Sequence, residues 1–143
     1  MKNFESVRIF HQYAKLPVPH NRIKTIVAKI YKDEKIKSGR YTDVIFCSDY
    51  MIRKLNAAYR GIDRVTDVLS FPFGDPDFLG EIYISLQKTQ RQAKQFKSSY
   101  DDEIIRLFVH GMFHLLGYDH GTIFQRQRME KKESKYITTR YES

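Results

Sequence analysis

The chain has 143 residues, of which 41% are hydrophobic and 14% aromatic, so its composition is that of a globular protein and not of a disordered one. No apolar run approaches the roughly 20 residues that a membrane-spanning helix needs, the N-terminus lacks the pattern of a signal peptide, and Cys47 is the only cysteine. We therefore expect a cytoplasmic protein with no internal disulfide and no membrane attachment. The length is that of one compact domain, so we expect a single domain over residues 1–143.

The charge balance is strongly basic. Lys and Arg total 25 against 17 Asp and Glu, which gives a net charge of +8 and a pI near 9.5. A basic domain favours polyanionic partners, nucleic acid above all. Many small basic proteins bind no nucleic acid, so this indication needs support from the motifs.

Hydrophobic periodicity and turn signals predict a strand, a helix, a strand, a helix, two strands and three helices, in that order. The strands are expected at 6–11, 41–48, 67–73 and 80–85, and the helices at 20–32, 49–59, 85–97, from Ser99 to before Gly117, and 124–137. Asp49 and Ser85 are expected to cap the second and third helices. Because Pro72 cannot donate a ladder hydrogen bond, the third strand should lie at the edge of the sheet. The order favours an α+β fold, with a small mixed four-stranded sheet covered by about five helices.

The fourth helix should be the buried one. Apolar residues between 104 and 116 cover nearly its whole circumference, and Asp101, Asp102 and Glu103 in its first turn complement the helix dipole. This buried central helix also carries two histidines, which makes it the candidate for a metal-binding motif.

The segment HGMFHLLGYDH (110–120) holds three of the five histidines. His110 and His114 are four residues apart and lie about 40° apart on one helical face. Gly117 can adopt the left-handed conformation that ends a helix, and the resulting turn could bring His120 to the same point. Three converging imidazoles with a water molecule form an open zinc site, so the pattern predicts one Zn²⁺ per chain on His110, His114 and His120.

Two structural alternatives remain for the histidines. They could be core residues that form hydrogen bonds with the sheet, although three polar rings would then need separate partners in an apolar interior. They could also belong to a closed structural zinc site, for which Cys47 and Asp119 are the candidate fourth ligands. Neither candidate has the paired spacing of structural zinc motifs.

The histidine segment resembles the extended zinc motif of metzincin proteases, H-E-x-x-H-x-x-G-x-x-H, with one departure. Gly111 stands where the proteases carry the glutamate that acts as general base. Peptide hydrolysis by that mechanism would therefore lack its general base. Glycine inside a helix costs about 1 kcal/mol relative to alanine, so we expect Gly111 to permit close packing or the close approach of another backbone.

A second stretch indicates a different family of hydrolases. LNAAYRGIDRVTDVLSFPF (55–73), LGEIYIS (79–85) and the histidine segment occur in order and with the correct spacing for the bacterial YbeY endoribonuclease family, also called the rRNA maturation factor family. The resemblance covers about residues 45–130. It implies a metal-dependent endoribonuclease, specific for single strands, that acts in ribosomal RNA processing and ribosome biogenesis, especially in three-prime end maturation of small-subunit rRNA. It also implies zinc on the three histidines and Arg60 in the substrate cleft.

The chemistry of these residues agrees with that activity. Zinc lowers the pKa of its bound water toward about 7, and a guanidinium can stabilise the extra negative charge of a pentavalent transition state. Metal-bound water and Arg60 are therefore expected to act on the phosphodiester. Arg106 is either a further cleft residue or a structural ion-pair partner, and Asp67 and Glu81 are candidates for orienting the histidines.

Two other functions stay open at this point. One is a zinc-dependent peptidase-like hydrolase with an unconventional base. The other is a non-catalytic ribosome-assembly factor with structural zinc and a basic surface for RNA. For the endoribonuclease, the expected partners are ribosomal RNA and the small ribosomal subunit.

Overall fold

The computed structural model describes residues 6–37 and 39–137. Its elements follow the predicted order. The strands are β1 (Val7–His11), β2 (Tyr41–Cys47), β3 (Val68–Pro72) and β4 (Phe78–Ser85). The helices are α1 (His20–Asp33), α2 (Asp49–Arg60), α3 (Leu86–Phe96), α4 (Tyr100–Leu115) and α5 (Ile123–Glu133).

The four strands form one mixed sheet in the order β1-β2-β4-β3. The β1–β2 and β2–β4 pairs are parallel, whereas β3 runs antiparallel to β4 with Phe71 opposite Glu81 and Pro72 opposite Gly80. Within the part of the chain that the structure describes, β3 pairs with β4 alone, so no strand lies along its other edge there. The α+β prediction, with four mixed strands and five helices in the described ranges, is confirmed, and so is the edge position of the strand that contains Pro72.

The two faces of the sheet bury separate hydrophobic clusters. Helices α1 and α4 cover the face that presents Val44, Phe46, Ile82 and Ile84, and this is the larger cluster. Helix α2 covers the other face, where Ile52 packs with Cys47 and Leu69. The alternation of strand side chains between the two faces accounts for this division.

Helix α4 is the buried central helix that its apolar composition predicts. Its residues Ile104, Ile105, Phe108, Val109 and Phe113 are fully buried, and it packs against β3, β4, α3 and α5. None of the described helices has the length and apolarity that crossing a membrane would require.

Two glycines allow α4 and the β3–β4 hairpin to approach closely. A Cβ atom on Gly111 would lie 2.8 Å from Cγ2 of Ile82, and the carbonyl of Gly111 accepts a hydrogen bond from the Ser70 hydroxyl at 3.3 Å. Gly80 has φ +156°, and a Cβ atom there would collide with the carbonyl oxygen of Phe71. The close packing expected at Gly111 is therefore present, and its partners are side chains of the sheet.

The ends of two helices differ from the sequence prediction. Ser48, not Asp49, caps α2, because its hydroxyl accepts from the Met51 N–H at 3.1 Å, while the Asp49 carboxylate accepts from Ser85 at 2.7 Å. Helix α5 ends at Glu133, four residues before the predicted end at 137. The chain turns after Glu133 so that the Tyr136 ring is buried and its hydroxyl donates to Asp33.

Candidate active site

The structure brings the three predicted histidines together. His110 and His114 lie in the last two turns of α4, and His120 follows the turn that ends the helix. Gly117 has φ +95°, and the Tyr118 N–H donates to the Phe113 carbonyl at 3.0 Å, which reverses the chain. One ring nitrogen from each histidine lies within 4.8 Å of the others, so the three side chains could hold one metal ion.

The spacing of the first two histidines fits a tetrahedral ion. The Nε2 atoms of His110 and His114 are 3.2 Å apart. Two nitrogens that each lie about 2.0–2.1 Å from a tetrahedral zinc are roughly 3.3 Å from one another. An all-imidazole donor set suits zinc, and also nickel or copper.

The environment of His114 favours the form that binds metal. Burial lowers the pKa of its imidazole, and the neighbouring His110 and His120 rings lower it further. A neutral imidazole has a free lone pair, whereas an imidazolium must first lose a proton before it can ligate a metal.

A carboxylate from α5 orients the first histidine. Oε2 of Glu133 lies 2.6 Å from Nδ1 of His110, and the Glu133 side chain is only 14% exposed. When Nδ1–H donates to this carboxylate, Nε2 is left as the acceptor that faces the other histidines. Metal-ligating histidines commonly have such a partner.

No hydrogen bond or ion pair among the described residues joins the side chain of Asp67 or Glu81 to the histidines. Asp67 lines the same cleft as the histidines, and its carboxylate accepts from the Val68 N–H at 2.8 Å. Glu81 accepts from the Tyr83 hydroxyl at 3.2 Å on the α2 face of the sheet. Reasoning from sequence missed Glu133, because no fixed spacing links a residue of α5 to the motif in α4.

The structure separates the two candidate fourth ligands of a closed zinc site. Cys47 lies on the opposite face of the sheet, where its thiol donates to the Ile84 carbonyl, and burial raises its pKa to about 12, which disfavours a thiolate ligand. Asp119 lines the cleft beside the histidines, and its Oδ1 accepts from the backbone N–H of His120 at 2.7 Å. The histidines pair with one another and with Glu133 instead of with the sheet.

The histidines form one wall of a cleft of about 660 Å³ that follows the free edge of β3. This volume is in the usual range for ligand sites. Arg60, the last residue of α2, lines the same cleft, and within the described ranges it has no ion pair or side-chain hydrogen bond. Its guanidinium is therefore available to an anionic ligand.

Arg106 also lines the cleft, but its charge is already neutralised. Its guanidinium donates to both oxygens of Glu103, at 2.6 and 3.2 Å, and the Glu103 side chain is only 1% exposed. Burial acts to lower the pKa of Arg106, yet the hydrogen bonds to Glu103 raise it overall. Arg106 thus has the role of a structural ion-pair partner, which was one of the two roles considered for it.

In a basic protein, a three-histidine cluster with an open side, next to an arginine that has no ion pair among the described residues, is an arrangement typical of metal-dependent hydrolases. The sequence profile of the family described as Endoribonuclease YbeY matches residues 9–141. The chain belongs to this family, and with it to the endoribonucleases, which are hydrolases acting on RNA phosphodiester bonds.

Individual relatives agree with this assignment. An Endoribonuclease YbeY from Desulforamulus reducens is 41% identical over 121 residues, which cover 78% of this chain and 79% of the relative. One from Endomicrobium trichonymphae is 38% identical and covers 94% of both chains. The solution structure of TM1509 from Thermotoga maritima has a TM-score of 0.64 and 31% identity, with coverage of 91% of this chain and 85% of that one.

Proposed function

We propose that this chain is a zinc-dependent endoribonuclease, specific for single-stranded RNA, that acts in ribosomal RNA processing and ribosome biogenesis. Its proposed substrate is the three-prime end of small-subunit rRNA, and residues 1–143 are proposed to form one domain. The observation that carries the proposal is the convergence of three histidine side chains in a cleft that Arg60 also lines. Membership of the endoribonuclease family and the +8 charge support it.

In this proposal His110, His114 and His120 hold the ion, each through one ring nitrogen. Zinc bound there would lower the pKa of a water molecule and polarise a phosphoryl oxygen. Glu133 keeps the His110 ring in the orientation and tautomer that point Nε2 into the cleft.

Arg60 is proposed to act on the phosphate itself. Its unpaired guanidinium can donate two parallel N–H groups to the scissile phosphate and stabilise the charge that grows in the transition state. Arg106 cannot share this role equally, because Glu103 already accepts its hydrogen bonds.

The first test is His114→Ala, assayed for cleavage of an rRNA fragment, for folding and for RNA binding. The proposal expects cleavage to disappear while the folded state and RNA binding remain. Cleavage by the variant at the wild-type rate would refute the role of the histidines, whereas RNA binding without any cleavage by the wild-type protein would favour a non-catalytic assembly factor. A casein digestion assay on the wild-type protein, run in parallel, would reveal a peptidase.

The second test separates catalysis by Arg60 from general RNA attraction. Arg60→Ala should slow single-turnover cleavage by about a hundredfold, or roughly 3 kcal/mol, with a much smaller effect on RNA affinity. Arg60→Lys should recover only part of the rate, because an ammonium lacks the planar fork.

Arg53→Ala is the matched control for this test. Arg53 lies on the same helix and carries the same charge, but it pairs with Asp63 at 2.8 Å outside the cleft. Its removal should change RNA binding and cleavage by the same small factor. If Arg60→Ala behaves like Arg53→Ala, Arg60 only docks RNA and the catalytic role is wrong.

A further inference from the structure

Aromatic side chains continue from the cleft over the edge of β3 onto the α2 face of the sheet. The Tyr59 ring lies 5.3 Å from the Phe71 ring, and Phe71 lies 5.7 Å from Tyr83, both in edge-to-face contact. Phe73 packs against Phe78 at 4.8 Å. Tyr59 is 69% exposed and Phe73 is 52% exposed, so these rings offer free faces to a ligand.

These side chains enclose a small pocket of about 150 Å³, here called the aromatic pocket, lined by Leu55, Tyr59, Phe71, Phe73, Glu81 and Tyr83. The aromatic pocket adjoins the active-site cleft at the edge strand β3. Phe71 lines both, and Tyr59 directly precedes Arg60 in the chain. A strand whose phosphate lies at Arg60 would therefore present a neighbouring nucleotide to the aromatic pocket.

The charge in the aromatic pocket selects which part of that nucleotide can enter. Glu81 uses Oε1 to accept from the Tyr83 hydroxyl at 3.2 Å. Its carboxylate repels a phosphate, so the RNA backbone is disfavoured here. The same carboxylate can accept a hydrogen bond from the exocyclic amino group of a base, as acidic side chains do with N4 of cytosine.

We propose that the aromatic pocket is a subsite for one unstacked base of the RNA substrate, next to the phosphate bound at Arg60, with a preference for a base that carries an exocyclic amino group. The inference rests on the proposed function and adds to it a site that reads the base. Single-stranded nucleic acids are commonly bound in this way, on aromatic platforms beside cationic grooves. Stacking of one base changes affinity by roughly fivefold to 150-fold.

The absence of tryptophan from the chain permits a direct test. Tyr59→Trp places a single indole in the aromatic pocket, and its fluorescence is recorded in the zinc-loaded protein immediately after mixing with short RNA. The probes are oligocytidylate, oligouridylate and an abasic ribose-phosphate oligomer of the same length and charge. The inference expects saturable quenching by oligocytidylate, at lower concentration than by oligouridylate, and little quenching by the abasic oligomer.

Tyr50→Trp is the matched control. Tyr50 is 71% exposed on the same helix, but it lies beside Lys54 in a separate surface pocket. Its indole should show no difference between the base-containing and abasic probes. Equal responses of the two indoles, or equal quenching of Tyr59→Trp by the abasic oligomer, would overturn the subsite.

A pair of truncations gives an independent measure. Phe73→Ala should raise the dissociation constant for labelled oligocytidylate at least fivefold by fluorescence anisotropy. Phe10→Ala, which removes a 46% exposed ring from β1 at the opposite edge of the sheet, should change it less than twofold. Glu81→Gln should reduce the preference for cytidine over uridine. Equal losses in the two phenylalanine variants would contradict the inference.

The outcomes separate this subsite from the proposed function. Histidine-dependent cleavage without base-dependent quenching rejects the subsite and keeps the endoribonuclease proposal. Base-dependent quenching in a protein that does not cleave RNA keeps the subsite and rejects the proposed catalysis. The absence of both effects rejects both.

Discussion

In the proposed zinc site, replacing Glu133 with glutamine should weaken zinc binding by about 10-fold to 100-fold while the fold stays intact. The physical reason is the contact of 2.6 Å between Oε2 of Glu133 and Nδ1 of His110. A glutamine has the same shape and can still accept through its amide oxygen. It has no negative charge, however, so it holds the Nδ1–H tautomer less strongly and makes Nε2 a weaker donor to a metal.

The expected loss of zinc affinity depends on how far the contact between Glu133 and His110 is shielded from water. The side chains of Glu133 and His110 are 14% and 31% exposed, so water screens the contact only in part. A loss of 10-fold to 100-fold corresponds to about 1.4–2.7 kcal/mol of binding free energy. This is the range of a hydrogen bond to a charged group, and it is well below the loss expected on removing a histidine ligand.

The assay is a competition titration of zinc against a chromophoric chelator at fixed pH, with circular dichroism as a check on folding. Glu130→Gln is the control, because Glu130 lies on the same helix, is exposed and carries the same charge. Its zinc affinity should match that of the wild type. If Glu133→Gln and Glu130→Gln bind zinc equally, the carboxylate does not support the site and the reasoning fails.

Two substitutions test the packing around the site, and a measurement on Cys47 tests the cluster on the other face of the sheet. Gly80→Ala should destabilise the protein by about 3 kcal/mol or more in urea unfolding, because the new methyl group meets the Phe71 carbonyl, which cannot move without breaking the β3–β4 pairing. Gly111→Ala should cost only about 1 kcal/mol, because the helix propensity of alanine offsets part of the clash with Ile82; equal losses for the two variants would contradict this account. Cys47 should resist a disulfide reagent at pH 8 until urea is added. Because its pKa is raised from 9.0 to about 12, its contribution to stability should decline as the pH rises from about 9 toward 12.

The sequence predicts those parts of the fold that are encoded by strong local periodicity. The apolar residues around α4 indicated a buried helix, and Pro72 indicated an edge strand; both predictions are confirmed. For the weakly amphipathic α5, the predicted start is correct but the predicted end is not. The chain leaves the helix to bury Tyr136, and this tertiary contact cannot be predicted from a local sequence pattern.

The candidate site was predictable to the extent that one segment contains it. His110, His114 and His120 lie within eleven residues, and their convergence follows from helical spacing and a turn at Gly117. Glu133 and the aromatic pocket depend on which helices and strands meet in space. Glu81 shows the limit of sequence reasoning, because its side chain lies on the face of the sheet opposite to that of the histidines.

The free edge of β3 explains how one cleft can combine groups from both faces of the sheet. The histidines come from α4 and the turn that follows it on one face, whereas Arg60 and Tyr59 come from α2 on the other. A further strand paired to β3 would separate these two sets and fill the cleft between them. Strand β3 is only five residues long and ends in Pro72, which has no N–H to donate. It therefore offers few backbone groups with which another strand could form hydrogen bonds. The short edge strand that prevents another strand from pairing therefore also leaves the histidines and Arg60 accessible to one substrate.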